Sequence, residues 1–340
     1  MDIRVRKGQE LEPAGPYNKV VCDGSTKVKG SLIATEVICK GTLEVKGALK
    51  AQKVKARGLR ARDIDVDELH VGFLDAGNVR SVMVQVSGKV AVRNLLYMKR
   101  GEIEGSVICS TLEAEDLSVK GSVRAIKMKA RRLRVKGSLE VDEGNVDEVE
   151  IGGSAKLGDC SIGSLVVGGT LRIVGDAEVG SGEASMVEIK GNMRGGILRV
   201  REVLKVDGTL DMRELYVGGA VKARGHLKAK EVRVSGKSTG KLSGKKITVT
   251  GEVVEVEGKD VELLNARAGK VVGKKVRVRD SDVGEVRAQE VEVLGRSKVD
   301  TIAAERVYVA GGHVRRIFYT EKLLISPEAT VEKERKVEGI

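Results

Sequence analysis

Apolar and small residues recur along this chain with two nested periods. Val37, Cys39, Gly41, Leu43, Val45, Gly47, Leu49 and Ala51 occupy every second position, and Lys40, Glu44, Lys46 and Lys50 fall between them. That alternation belongs to a strand buried on one face and solvated on the other. The longer period is 16 to 17 residues. Val20, Val37, Val54 and Val71 stand 17 apart, Gly105, Gly121, Gly137, Gly153 and Gly169 stand 16 apart, and Leu198, Leu215, Val232 and Val249 return to 17. A strand pattern repeated at so short a period predicts a solenoid. Each coil stacks on the last at about 4.8 Å and pairs in parallel with the same segment one turn away. The inward phase slips by one residue at Gln52 and Lys53, which turns one corner per coil, while small or Gly slots take the other bends.

Proline placement bounds the repeat. Pro cannot donate to a strand ladder, and Pro13, Pro16 and Pro327 leave everything between them untouched. The expected organisation is a polar, flexible lead-in over residues 1–16, a parallel β-helix over 17–325, and a charged tail over 326–340 whose Glu332-Lys333-Glu334-Arg335-Lys336 run has too little apolar surface to order itself. At 16 to 17 residues per coil the helix holds roughly 18 or 19 coils and spans on the order of 90 Å as one elongated domain.

Lys and Arg number 61 against 49 Asp and Glu, a formal net charge of +12. Such a balance favours anionic surfaces. The candidate polyanion-binding row is Lys127, Lys129, Arg131, Arg132, Arg134 and Lys136, and a second basic run carries Lys222, Arg224, Lys228, Lys230, Arg233 and Lys237. Phosphate contacts by such rows give salt-sensitive, sequence-independent binding. With five Tyr, two Phe and no Trp, bases have little to stack on. An anionic membrane surface or a nucleic-acid backbone is the partner implied. The competing reading is a solvated surface whose charges pair between coils, as Lys46, Asp63 and Arg80 do at their spacing of 17. Abundant Lys, Arg and Glu with sparse Asn and Gln point to a thermophile. The first ten residues lack an apolar core and no stretch reaches the length of a membrane span, so a cytoplasmic location is expected.

Catalytic chemistry is sparse. Asp63, Asp65 and Asp67 put three carboxylates on one outer face about 7 Å apart, and Asp280 and Asp282 repeat the idea, but no projecting loop builds a pocket around either set. The Gly pairs at 152/153, 168/169, 195/196, 218/219 and 311/312 precede no helix that would hold an anion, and read as corners. His70, His226 and His313 follow no metal spacing. Cys22 and Cys39, 17 apart on the inward phase, should stack in adjacent coils, where a disulfide is geometrically conceivable but small buried side chains are the favoured reading. Left-handed hexapeptide acyltransferases bury one residue in six and pectate-lyase-like enzymes use longer coils with aromatic platforms; neither pattern fits. No catalytic, cofactor-binding or metal-binding residue is assigned, and no cofactor or small-molecule substrate is expected.

The units Val-Lys-Gly-Ser-Leu-Ile-Ala (28–34), Val-Lys-Gly-Ala-Leu-Lys-Ala (45–51), Val-Lys-Gly-Ser-Val-Arg-Ala (119–125) and Val-Lys-Gly-Ser-Leu-Glu-Val (135–141) resemble the Gly-rich repeats of bactofilins, polymer-forming cytoskeletal proteins. The resemblance covers nearly the whole chain, with an unusually long helix. It implies a right-handed parallel β-helix with flexible tails that polymerises end to end without a nucleotide. A solenoid also ends in two open coils with bare strand edges. Ile317, Phe318, Tyr319, Leu323, Leu324 and Ile325 form the densest apolar cluster, and Tyr17 and Val20 open the first coil. Either these residues join copies of the chain, or each plugs its own end and leaves a capped monomer. The expected fold class is thus all-β, a single-stranded parallel β-helix (β-solenoid), three-sided, whose first partner is itself and whose function is structural.

Overall fold

The computed structural model describes residues 1–339. The chain comprises two compact units, Met1–Gly169 and Thr170–Ile340. Each is a parallel β-solenoid without helices among the described residues, and together they hold about 21 turns.

One turn of the first unit shows how the sequence folds. Residues 107–109, 111–114 and 116–119 pair with 123–125, 127–130 and 132–135, giving three short legs per turn. Val107, Cys109, Leu112, Leu117 and Val119 are buried, and the half-buried Ala114 takes the remaining inward slot. These positions are two apart within a leg and three apart across the first two corners, while the third corner, from Val119 to Val123, spans four residues through Gly121 and keeps phase, so the phase slips twice in this turn, not once per coil as expected. The turn around Gly41 uses the other device. Alternation continues through the corner between Cys39 and Leu43, and the inward slot is Gly41, where a Cβ would lie 2.4 Å from the Ser25 nitrogen. Only a residue without a side chain fits beneath that backbone.

Stacked turns bury columns of like residues. In the first unit Leu117, Leu133, Val149 and Leu165 lie in register, as do Val119, Val135, Ile151 and Val167, all at most 3% exposed. In the second unit Val261, Val276, Val291 and Val307 form such a column. β-branched residues suit this pleated surface because their restricted χ1 costs little in a strand, and each fully buried Val or Leu contributes roughly 1.5–3 kcal/mol. Outside the core, Tyr216 stacks between the guanidinium groups of Arg199 and Arg233, 5.3 and 5.4 Å from its ring centre.

The second unit departs from the expected coil length. Thr209 pairs with Asn192, 17 residues back, but Ser243 pairs with Lys228 at 15, Val256 with Leu242 at 14, and Asp282 with Arg267 at 15. Part of the shortening is visible at one corner. Asn265, Asp280 and Gly295 occupy successive turns there, each with a left-handed backbone (φ 49°, 50° and 66°). These are the three residue types that enter this region most readily, and the Asp280 carboxylate accepts a 2.9 Å hydrogen bond from the Arg296 N–H.

Both ends were expected to lie outside the solenoid, and both carry strands. Asp2–Val5 pairs with residues 19–22 and Glu10–Leu11 with 27–28, so the lead-in forms a further turn with Val5 and Leu11 buried. Thr330–Lys336 pairs with residues 313–319. Its side chains stay mostly exposed; backbone hydrogen bonding to the preceding turn, not apolar burial, gives this charged segment its order.

Candidate functional site

The lead-in turn relocates the N-terminal half of the expected assembly surface. Tyr17 is 5% exposed and Val20 fully buried, with Ile3 stacked over Val20 and the Tyr17 hydroxyl accepting a 3.0 Å hydrogen bond from the Ala14 N–H. Neither residue is at an end. At the other terminus Ile317 is buried, and Phe318 and Tyr319 are half-buried with Arg335 and Lys336 stacked above them. The remaining three candidates differ. Residues 322–325 pair with 306–309 on one edge, and among the described residues nothing pairs along the other. Leu323 and Ile325 continue the inward columns of Val307 and Val309, while Leu324 stacks outward on Tyr308. Ile325 is 40% exposed and Leu324 48%. The core is therefore open at this leg. Beside it the Ser326 hydroxyl is buried without a hydrogen-bond partner.

The six-residue basic row does not form one cationic face. Lys127 pairs with Glu143 at 3.0 Å, Arg131 with Asp116 at 3.2 Å, and Arg134 with Glu150 at 3.5 Å, while Arg132 lies between Asp116 at 3.2 Å and Glu148 at 3.0 Å. Lys129 stacks between Glu113 and Asn145, and Lys136 follows at the corner. Stacking thus pairs four of the six with carboxylates. The same logic holds Asp23 between Arg4 at 2.8 Å and Lys40 at 3.2 Å, and the hydrogen bond from Arg4, then that from Lys40, lower its carboxyl to about 2. Its contribution to stability is present above the unfolded carboxyl value near 3.8 and disappears as pH falls through about 2. The melting temperature of the chain is expected to drop across that window, less steeply in Asp23→Asn, as a thermal-unfolding series from pH 5 to 2 would record. The Lys46, Asp63, Arg80 stack is not realised. Asp63 instead contacts Arg62 at 3.1 Å and accepts a 2.7 Å hydrogen bond from Asn78. Asp282 lies 3.8 Å from Arg267.

A different row keeps its charge. Successive turns pair Met212 with Ala229, Gly244, Gly258 and Gly273, and Glu214 with Glu231, Lys246, Asp260 and Lys275. Between these two columns lie Arg213, Lys230, Lys245, Lys259 and Lys274, five cations one above another, all exposed. Arg213 meets Glu214 at 3.3 Å. The four lysines make no ion pair among the described residues. The small column beneath them packs tightly: a Cβ on Gly244 would lie 2.7 Å from the Ala229 carbonyl oxygen. The row borders a concave surface of about 1330 Å³ lined by eight Lys and Arg side chains against Asp211 and Glu257. Glu257 is itself in contact with Lys241. The next column out alternates in sign, Lys246, Asp260, Lys275, Glu290, Arg306, with Lys275 and Glu290 3.2 Å apart. The basic run read from the sequence contained only Lys230 of the row and Lys228 beside it.

Cys22 and Cys39 stack in register as buried free thiols, as their spacing predicts. The hydrogen bond from Cys39 lowers the Cys22 thiol to about 7, and Cys39 is pushed up by the same pairing. No helix among the described residues is long and apolar enough to cross a membrane. No family model matches the chain, and comparison with curated proteins and with solved structures returns no match.

Proposed function

We propose that this chain is a non-enzymatic, cytoplasmic structural protein, a β-solenoid scaffold of bactofilin-like type whose copies join end to end. The observation that carries the reading is the open leg at residues 322–325. A strand with one bare edge and core side chains at its surface is a template for another strand, and the partner best matched to it is the end of a second copy, which presents the same kind of parallel edge. Charged strands blunt such edges, and Thr330–Lys336 does so over the neighbouring leg while leaving this one uncovered.

Leu324→Glu combined with Ile325→Glu tests the assembly. Both positions are already exposed, so the variant is expected to keep the melting temperature of the parent, unlike a change at Phe318, which lies beneath the last strand. Negative-stain microscopy and sedimentation at low and high salt are expected to give unbranched filaments for the parent chain and single particles for the variant. Identical discrete particles from both would remove end-to-end assembly as the function.

A further inference from the structure

We propose that the stacked cations Arg213, Lys230, Lys245, Lys259 and Lys274 bind the phosphate backbone of a duplex nucleic acid, without regard to base sequence. Three features converge on this ligand.

The row is built against its own electrostatics. Like charges directly opposite one another in a sheet repel. On the same turns the adjacent column changes sign at every step after Glu214 and Glu231, through Lys246, Asp260 and Lys275, and in the first unit the row after Ala114 and Ala130 reads Glu115, Arg131, Asp147. A ladder of five like charges is thus a departure from the pattern that stabilises the rest of the surface, and its four lysines have no anionic partner of their own among the described residues. A partner supplied from outside removes the repulsion.

The shape is linear. Successive turns set the cations about 4.8 Å apart, so five of them cover about 19 Å. Each strand of a duplex carries one phosphate per about 3.4 Å of axis, so such a row faces a run of five or six phosphates. A membrane surface asks for a plane of charge with apolar side chains to insert, whereas of the large apolar side chains lining the concave surface beside this row Leu210, Met212 and Leu227 are buried in the core and Val272 is half-buried.

The site has no means of reading bases. No Phe, Tyr or Trp lines it, and His226 is the one ring among the lining residues, so the run of stacking platforms on which single-strand binders rely is lacking. Backbone contact alone favours the duplex, whose phosphates are regularly spaced and whose bases are already stacked. This inference is independent of end-to-end assembly, because the row lies along the side of the turns and not at a terminal leg.

Fluorescence anisotropy of a labelled 30-base-pair duplex with the full chain, titrated from 50 to 200 mM NaCl, provides the test. With about five phosphates neutralised, affinity is expected to fall roughly 500-fold over that range, and in the triple variant Lys230→Gln, Lys245→Gln, Lys259→Gln only about tenfold, from a much weaker start. Because the substituted lysines have no partners, the variant is expected to unfold at the parent's temperature or above it, so lost binding cannot be ascribed to lost fold. A scrambled duplex is expected to bind equally. Three outcomes would overturn the proposal: no duplex binding at 50 mM salt, a salt slope unchanged in the triple variant, or retention on anionic phosphatidylserine vesicles with no binding of the duplex.

Discussion

Leu133→Ala is expected to lower the free energy of unfolding by about 2–5 kcal/mol, the range for emptying a buried leucine site that cannot collapse. Leu133 is fully buried between Leu117 and Val149 in its column. Its strand is hydrogen-bonded along both edges, to residues 116–119 on one side and 148–151 on the other. The backbone is thereby fixed at the spacing of the turns, and neighbouring side chains have little freedom to move into the space a truncated residue leaves. Ile126 supplies the comparison. It lies in the same strand, outside the core and 51% exposed, so Ile126→Ala is expected to change stability by less than about 0.5 kcal/mol. Urea denaturation of the two variants decides the matter, and equal losses would mean that the column is not the main source of stability. Since each turn contacts only its neighbours, the damage should also be local, and amide exchange is expected to accelerate first in the turns that touch Leu133.

The difference between these two substitutions was legible in the sequence, because alternation within a leg is a local property. Leu133 alternates with the outward Arg132 and Arg134 of its own leg, and Ile126 follows the inward Ala125 at a corner, so no long-range information is needed to assign them. The 17-residue spacing of Cys22 and Cys39 likewise gave their register directly. What failed was extrapolation of a fixed step. From Arg213 a step of 17 reaches Lys230 and then Ile247, a core residue, so the cation row breaks off after two members. The real path runs through Lys245, Lys259 and Lys274, at 15, 14 and 15 residues. A signal was present in the short motif that accompanies each cation: Ala229-Lys230-Glu231-Val232, Gly244-Lys245-Lys246-Ile247, Gly258-Lys259-Asp260-Val261 and Gly273-Lys274-Lys275-Val276. Aligning on the small residue before the lysine, not on a constant interval, recovers the row, and the same motif ends it at Ala288-Gln289.

The ends were misread for a different reason. Composition speaks to whether a segment can bury apolar surface by itself, and residues 1–16 and 326–340 are poor in it. A solenoid offers something else, an existing strand edge whose unmet backbone groups order an incoming segment through hydrogen bonds. Asp2–Val5 needs only Val5 on the inside to complete a turn, and Thr330–Lys336 needs almost nothing. At the C-terminal end the open surface lies on one leg of the last turn, because the chain continues over residues 313–319 and not over 322–325, and at the other end the lead-in turn stands between Tyr17 and Val20 and the edge.

Removal of residues 1–16 is expected to have the second large effect, since that turn covers core and not solvent. Tyr17, Val20, Cys22, Thr26 and Val28 are at most 5% exposed in the full chain, and the deletion strips the paired strands from residues 19–22 and 27–28 together with the Arg4 ion pair to Asp23. Several apolar side chains at roughly 1.5–3 kcal/mol each are then returned to water, and a new bare edge invites association. The thiols make the change measurable site by site. The hydrogen bond from Cys39 lowers the Cys22 thiol in the full chain, which favours its ionised form, and the thiolate is the reactive species. Cys109 and Cys160 are pushed up to about 12 and about 11, chiefly by burial, and serve as internal controls in turns that the deletion does not touch. Iodoacetamide labelling followed by peptide mapping is expected to show Cys22 reacting at least about tenfold faster in the shortened chain, with Cys109 and Cys160 unchanged, because protection of a buried thiol is set by the local opening of the turn above it. An unchanged Cys22 rate together with an unchanged melting temperature would mean that the first turn does not seal the core, and the N-terminal end would then join residues 322–325 as an open surface for a second copy.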